Sequence, residues 1–104
     1  MRTWTALVLL ALPACDPQVA ADGVARAAAR SVLTSVAETV VPASQAETAA
    51  FCLVQAATPD EINALARDVG TRPGTTTMAT ARTIAARPAA QACLRERGVA
   101  PITL

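Results

Sequence analysis

The sequence contains no His, no Lys and no Tyr, and all nine of its basic residues are Arg. Without His there is no Ser-His or Cys-His nucleophile and no imidazole ligand for a metal ion. Without Lys there is neither a Schiff-base amine nor the lysine of a phosphate-binding loop. The eight carboxylates show no calcium-loop spacing. We therefore expect a non-catalytic protein that needs no cofactor and no metal.

The N-terminal segment has the layout of an export signal. Arg2 is followed by a nine-residue, mostly apolar run over residues 4–12. This run is shorter than the roughly 20 residues that span a bilayer as a helix. A cationic start, a short apolar run and then small residues are typical of secretory signals. The chain is therefore expected to be exported.

The end of this segment, LPAC at residues 12–15, resembles the lipobox of bacterial lipoproteins. The resemblance covers about the first 17 residues and implies cleavage before Cys15, lipid attachment to Cys15 and a membrane surface as partner. It divides the chain into a signal peptide over 1–14, a lipidated tether over 15–22 and a helical domain over 23–104. The implied location is a membrane facing the periplasm.

Two other interpretations of this segment stay open. An ordinary signal peptidase could cut after Ala21, since Val19 and Ala21 are acceptable at the third and first positions before a cut. That cleavage would discard Cys15 and release a soluble periplasmic or secreted protein. Alternatively, the segment is a retained N-terminal helix, but Pro13 and Pro17 would interrupt it because proline lacks the backbone donor.

Export also accounts for the number of cysteines. The chain has three, and loss of Cys15 by lipidation or cleavage leaves Cys52 and Cys93, which can form one intramolecular disulfide in an oxidising compartment. Closing a loop of about 42 residues is worth roughly 4 kcal/mol in the chain-entropy model. Two buried free thiols are the alternative if the chain is not exported. A redox-active pair is disfavoured because such motifs place their cysteines closer together.

The charges and aromatic residues argue against a nucleic-acid partner. Removing the signal peptide leaves eight Arg against eight Asp and Glu residues, so no basic face is expected. Phe51 is then the sole aromatic residue, which leaves no stacking platform for bases. Arg26 with Arg30, and Arg95 with Arg97, are candidates for contact with anionic lipid headgroups, although solvated helix faces are the simpler interpretation.

Five segments of the mature chain carry helical periodicity, and none is typical of a strand. They predict an all-α bundle of four to five short, Ala-rich helices stapled by one disulfide. The segments are residues 24–41, 44–57, 59–69, 78–87 and 88–97, with the clearest loop at 71–77. The predicted inward positions are Ala25, Ala29, Val32, Leu33, Val36, Val40, Ala46, Ala49, Ala50, Leu53, Val54, Ala57, Ile62, Leu65, Ala66, Val69, Met78, Ala81, Ile84, Ala85, Cys93 and Leu94. Ile102 or Leu104 is expected to fold back onto the bundle.

Capping residues predict two helix starts and one helix end. Ser44 with Glu47, and Thr58 with Glu61, have the spacing of a capping box, in which each side chain bonds the other residue's backbone N–H. Gly70 is expected to end the third helix in the left-handed conformation.

Three classes of function fit these features. The leading hypothesis is a non-catalytic envelope lipoprotein whose helical domain binds or supports an unknown envelope protein. The alternative is a small secreted effector or inhibitor. A weaker alternative is an enzyme that uses the carboxylates of Asp60, Glu61 and Asp68 or the threonines of residues 74–77. These groups are better explained as helix-end charges and helix-start residues.

Overall fold

The computed structural model of the chain describes residues 17–104, with side chains from residue 20 onward. Its five helices, in chain order, are α1 Pro17–Ala37, α2 Ala43–Ala56, α3 Pro59–Ala66, α4 Thr75–Ala85 and α5 Pro88–Glu96. No strand occurs in this part of the chain. The predicted all-α bundle is confirmed.

The core of the bundle consists of two apolar clusters. α1 packs mainly against α2 and α3, and α5 packs mainly against α2. The first cluster, here called the main core, contains Ala29, Val32, Leu33, Val36, Ala50, Leu53, Val54, Ile62, Leu65, Ala81, Ile84, Ala85 and Ala90. The second cluster contains Ala37, Ala46, Ala49, Cys52, Leu94, Val99 and Ile102. α2 contributes to both clusters and therefore joins them.

Most of the predicted inward positions are buried, but two are not. Val40 is 42 % exposed and Val69 is 47 % exposed. Both predictions are wrong for the same reason: α1 ends at Ala37 and α3 ends at Ala66. Residues beyond those ends lie in turns and no longer follow the helical period that placed them inward. Ala25, Ala57, Ala66, Met78 and Cys93 are half-buried.

α1 begins earlier than its apolar periodicity predicts. Its first residue is Pro17, so residues 17–22, expected to form part of the tether, are helical. No helix within residues 17–104 is long and apolar enough to cross a membrane.

One of the two predicted capping boxes forms. The backbone N–H of Thr58 donates to Glu61 Oε1 at 2.8 Å, and the N–H of Glu61 donates to Thr58 Oγ1 at 3.2 Å. The box predicted at Ser44 is wrong, because α2 already begins at Ala43 with Pro42 as its N-cap and no side-chain cap bond. Ser44 thus lies inside the helix.

The predicted loop over residues 71–77 is shorter than expected. α4 begins at Thr75 and continues without interruption to Ala85. Thr77 is only 4 % exposed, and its hydroxyl donates to Asp68 Oδ2 at 2.6 Å. The bond gives the hydroxyl of the buried Thr77 a partner, whereas the sequence placed Thr77 in a loop.

Two glycines and the C-terminal tail complete the fold. Gly70 and Gly98 have φ of 82° and 73°, the left-handed conformation that glycine adopts most readily because it has no Cβ. Gly98 follows the C-cap of α5, as in a helix-ending motif. Gly70 was expected to end α3, but α3 ends at Ala66, so Gly70 lies in the turn that follows it. Beyond Gly98 the N–H of Val99 donates to Leu94 O at 2.9 Å. Ile102 is buried in the second cluster, which confirms that the tail folds back.

Candidate functional site

The disulfide predicted from the cysteine count is present. Cys52 and Cys93 are joined with an S–S distance of 2.13 Å and a Cα–Cα distance of 5.5 Å. The bond ties α2 to α5, so neither sulfur is available as a nucleophile or a metal ligand. Cys15, the predicted lipidation site, lies outside the described residues, and its lipidation stays a prediction.

The three carboxylates proposed as a catalytic set lie in three separate environments. Asp60 is exposed, and Asp68 accepts the bond from Thr77. Glu61 forms a two-pronged ion pair with Arg87, at 2.6 Å from Nη1 to Oε1 and 2.7 Å from Nη2 to Oε2. The carboxylates of Asp68 and Glu61 are thus engaged with Thr77 and Arg87, and the three carboxylates are not paired with one another. No group of His, Cys, Asp or Glu within residues 20–104 is arranged to hold a metal ion.

Arg87 connects three elements of the fold. Its Nη1 also donates to Ala56 O at 3.0 Å, so one guanidinium binds the end of α2 and the start of α3 from the α4–α5 junction. The bond from Arg87 lowers the pKa of Glu61 from its ordinary 4.5 to about 2, against the opposing effect of burial. No local pattern points to this pair, because Arg87 lies far from Glu61 in sequence.

A shallow groove runs between α1 and α2. One part, with a volume of about 270 Å³, is lined by Arg26, Ala27, Arg30, Phe51, Val54 and Gln55. The adjoining part, of about 370 Å³, is lined by Ala27, Arg30, Ser31, Thr34, Ser35, Glu38 and Glu47. The two parts share Ala27 and Arg30 and so form one continuous surface, here called the α1–α2 face.

Phe51 lies at the basic end of this face between elements distant in sequence. The guanidinium carbon of Arg97 is 4.3 Å from the centroid of the Phe51 ring, and that of Arg30 is 5.8 Å away. Both distances are within the range of cation–π attraction. Arg97 directly follows α5, which the disulfide ties to α2. One arginine from each of the two predicted pairs, Arg30 and Arg97, thus lies over the same aromatic ring.

The α1–α2 face carries opposite charges at its two ends. Arg26 and Arg30 border one end, whereas Glu38 and Glu47 border the other. Among the residues that the structure describes, none of these four side chains forms an ion pair. Between Arg30 and Glu38 the exposed side chains of α1 are small and uncharged, such as Ser31 and Ser35. The sequence indicated only the i, i+4 spacing of the two arginines, because Glu47 belongs to another helix.

Comparison with known proteins provides no relative on which to test this site: no family model, no curated protein and no solved structure matches the chain.

Proposed function

We propose that this protein is a non-catalytic lipoprotein of the bacterial cell envelope whose helical domain binds another envelope protein through the α1–α2 face. The observation that carries the binding role is the groove itself, bordered by four charged side chains that have no ion-pair partner in the described part of the chain. Charges arranged around a groove favour specific partners and align them as they dock.

The anchor is proposed from the sequence around Cys15, and one structural feature is compatible with it. A disulfide between Cys52 and Cys93 is typical of proteins in oxidising compartments. Pro17, two residues after Cys15, is already part of the helix α1, so a lipid on Cys15 would lie next to this helix in the sequence. Several acyl chains on one N-terminus hold a protein firmly to a membrane, since each buried methylene adds about 0.8 kcal/mol. The α1–α2 face would then remain close to the bilayer surface.

Fatty-acid labelling and membrane fractionation of the wild type beside Cys15→Ala test the anchor. The wild-type protein should incorporate label and sediment with membranes. Cys15→Ala should lose the label and be found uncleaved or soluble in the periplasm. A soluble, unlabelled wild-type protein that begins at Asp22 would replace the anchored lipoprotein with the secreted effector or inhibitor.

A photo-crosslinking residue in the native envelope tests the binding role. Placed at Ser31, at the centre of the α1–α2 face, it should yield a discrete protein adduct on irradiation. The matched control is the same residue at Ala89, which is exposed on α5 and should yield none. Absence of an adduct from Ser31 would contradict the proposed use of this face.

A further inference from the structure

The charges of the α1–α2 face are arranged evenly about one level of α1. Arg26 and Glu38 are equally far from position 32, about 9 Å in each direction along the helix axis. Glu38 still follows the helical path, because its N–H donates to Thr34 O at 2.9 Å. The basic and acidic ends of this helix are therefore equidistant from a common centre.

Glu47 adds a second acidic side chain to this face. α2 runs back along α1 after a short turn, and Glu47 borders the same part of the groove as Arg30, Thr34 and Glu38. The face thus has two basic side chains, Arg26 and Arg30, and two acidic ones, Glu38 and Glu47.

We propose that the partner of the α1–α2 face is a second copy of this chain, docked antiparallel about a two-fold axis at the level of position 32. Arg26 then faces Glu38 of the second copy, and the basic end of each copy lies against the acidic end of the other. A two-fold axis produces each pair twice, because an isologous interface uses the same patch on both subunits. This inference rests on the binding role proposed above for the face and names its partner.

Two further observations favour a second copy over an anionic lipid surface. Docking the whole face on anionic headgroups would satisfy Arg26 and Arg30 but repel Glu38 and Glu47, whereas a second copy satisfies all four. Apart from Arg30, the exposed residues of α1 nearest the proposed axis, Ser31 and Ser35, are small. Small side chains allow two helices to approach closely.

Charge reversal in full-length chains tests the proposal. Two differently tagged copies are co-expressed, extracted in mild detergent, and one is captured while the other is measured. We expect Arg26→Glu/Arg30→Glu, and separately Glu38→Arg/Glu47→Arg, to reduce self-capture at least about tenfold, since like charges then face each other. Co-expression of the two reversed variants should restore capture, because every pair is again opposite in sign.

A matched variant controls for net charge. Arg67→Glu/Arg72→Glu changes the charge by the same amount at exposed positions of the α3–α4 region. It should self-capture at the wild-type level and should not restore capture of Glu38→Arg/Glu47→Arg. Restoration by this control would overturn the proposal, because it would show that net charge alone brings the copies together.

A single substitution keeps the test decisive if the reversed variants do not fold. Ser31→Arg places two like charges beside the axis and should abolish self-capture, whereas Ala89→Arg on α5 should not. The proposal is overturned if folded Ser31→Arg self-captures normally, or if the wild type does not self-capture, including where it binds only anionic vesicles of phosphatidylglycerol. Repeating the assay with Cys15→Ala separates the two proposals. Self-capture of this variant, which has no site for the lipid, would show that the dimer forms without the anchor.

Discussion

The main core and the second cluster differ in how they are held together. The main core contains five of the large side chains with less than 2 % exposure, namely Leu33, Leu53, Leu65, Ile84 and Val36. The second cluster contains only Leu94 and Cys52 from that group, together with smaller or more peripheral apolar residues. Apolar burial stabilises in proportion to area. The main core is therefore held by burial, whereas the second cluster depends on the disulfide.

This difference indicates why the disulfide lies where it does. Cys52 is on α2, within the helix that joins both clusters, and Cys93 is on α5, which packs mainly on α2. A covalent bond at this position reinforces the part of the bundle with the least apolar volume. The four predictions below test this division, from the largest expected effect to the smallest.

Leu33→Asp should unfold the domain. Leu33 is fully buried in the main core, and an unpaired charge there has no partner to offset its desolvation. Circular dichroism should show loss of most helical signal. Leu94→Asp is the matched control in the second cluster, where the disulfide should retain α5 and leave the main core helical. Equal loss of helix in both variants would show that the clusters do not differ.

Cys93→Ser should cost roughly 2–5 kcal/mol of unfolding free energy, as loss of a native disulfide in a small domain does. Hydrogen exchange should accelerate first in α5 and the C-terminal tail, because their apolar contacts are fewest. Alkylation followed by intact-mass measurement checks that the wild type contains the disulfide, since two thiols should appear in the native protein only after reduction. Uniform acceleration in every helix would contradict a local role for the bond.

Glu61→Gln should lower stability by no more than about 1 kcal/mol at neutral pH, because the ion pair that is lost is partly exposed and screened by solvent. The pKa of Glu61 is lowered to about 2 in the folded protein, so its contribution is complete above pH 4.5 and declines as the pH falls towards 2. Denaturant titrations of both proteins should therefore converge over that range. If the difference in unfolding free energy between the two proteins stayed constant from pH 7 to pH 2, the charge of Glu61 would not be its cause.

Arg30→Asp should change the free energy of unfolding by no more than about 0.5 kcal/mol, since Arg30 is an exposed residue. Arg30 lies over the ring of Phe51, which packs against the second cluster. Thermal unfolding in detergent at low protein concentration measures the monomer and separates this effect from self-association. A loss comparable to that of Cys93→Ser would mean that Arg30 supports the second cluster.

Patterns confined to a few neighbouring residues predicted the corresponding structure well. The box between Thr58 and Glu61 and the inward stripe around Leu33 formed as expected. The failures lie at helix boundaries. Residues 17–22 are already helical ahead of the apolar stripe of α1, α3 ends before Gly70, and Pro42 took the N-cap position that Ser44 was expected to hold.

The candidate site was much less predictable. The sequence indicated Arg26 with Arg30 and suggested Arg95 with Arg97, but it did not indicate Phe51 as the ring that Arg30 and Arg97 share. Such contacts join residues from different helices, and no short spacing in the chain encodes them. Arg87 and Glu61 were missed as a pair for the same reason.

The sequence by itself determined the helical class and most of the inward positions, because both follow from local periodicity, and it predicted the disulfide between Cys52 and Cys93 on the expectation that Cys15 is lost to lipidation or cleavage. Only the tertiary structure decided that Glu38 and Glu47 share a groove with Arg26 and Arg30. It also decided that Thr77 bonds Asp68 and that one cluster contains most of the large buried side chains. These properties depend on how helices pack, which is set by the fit of whole apolar faces and not by any one segment.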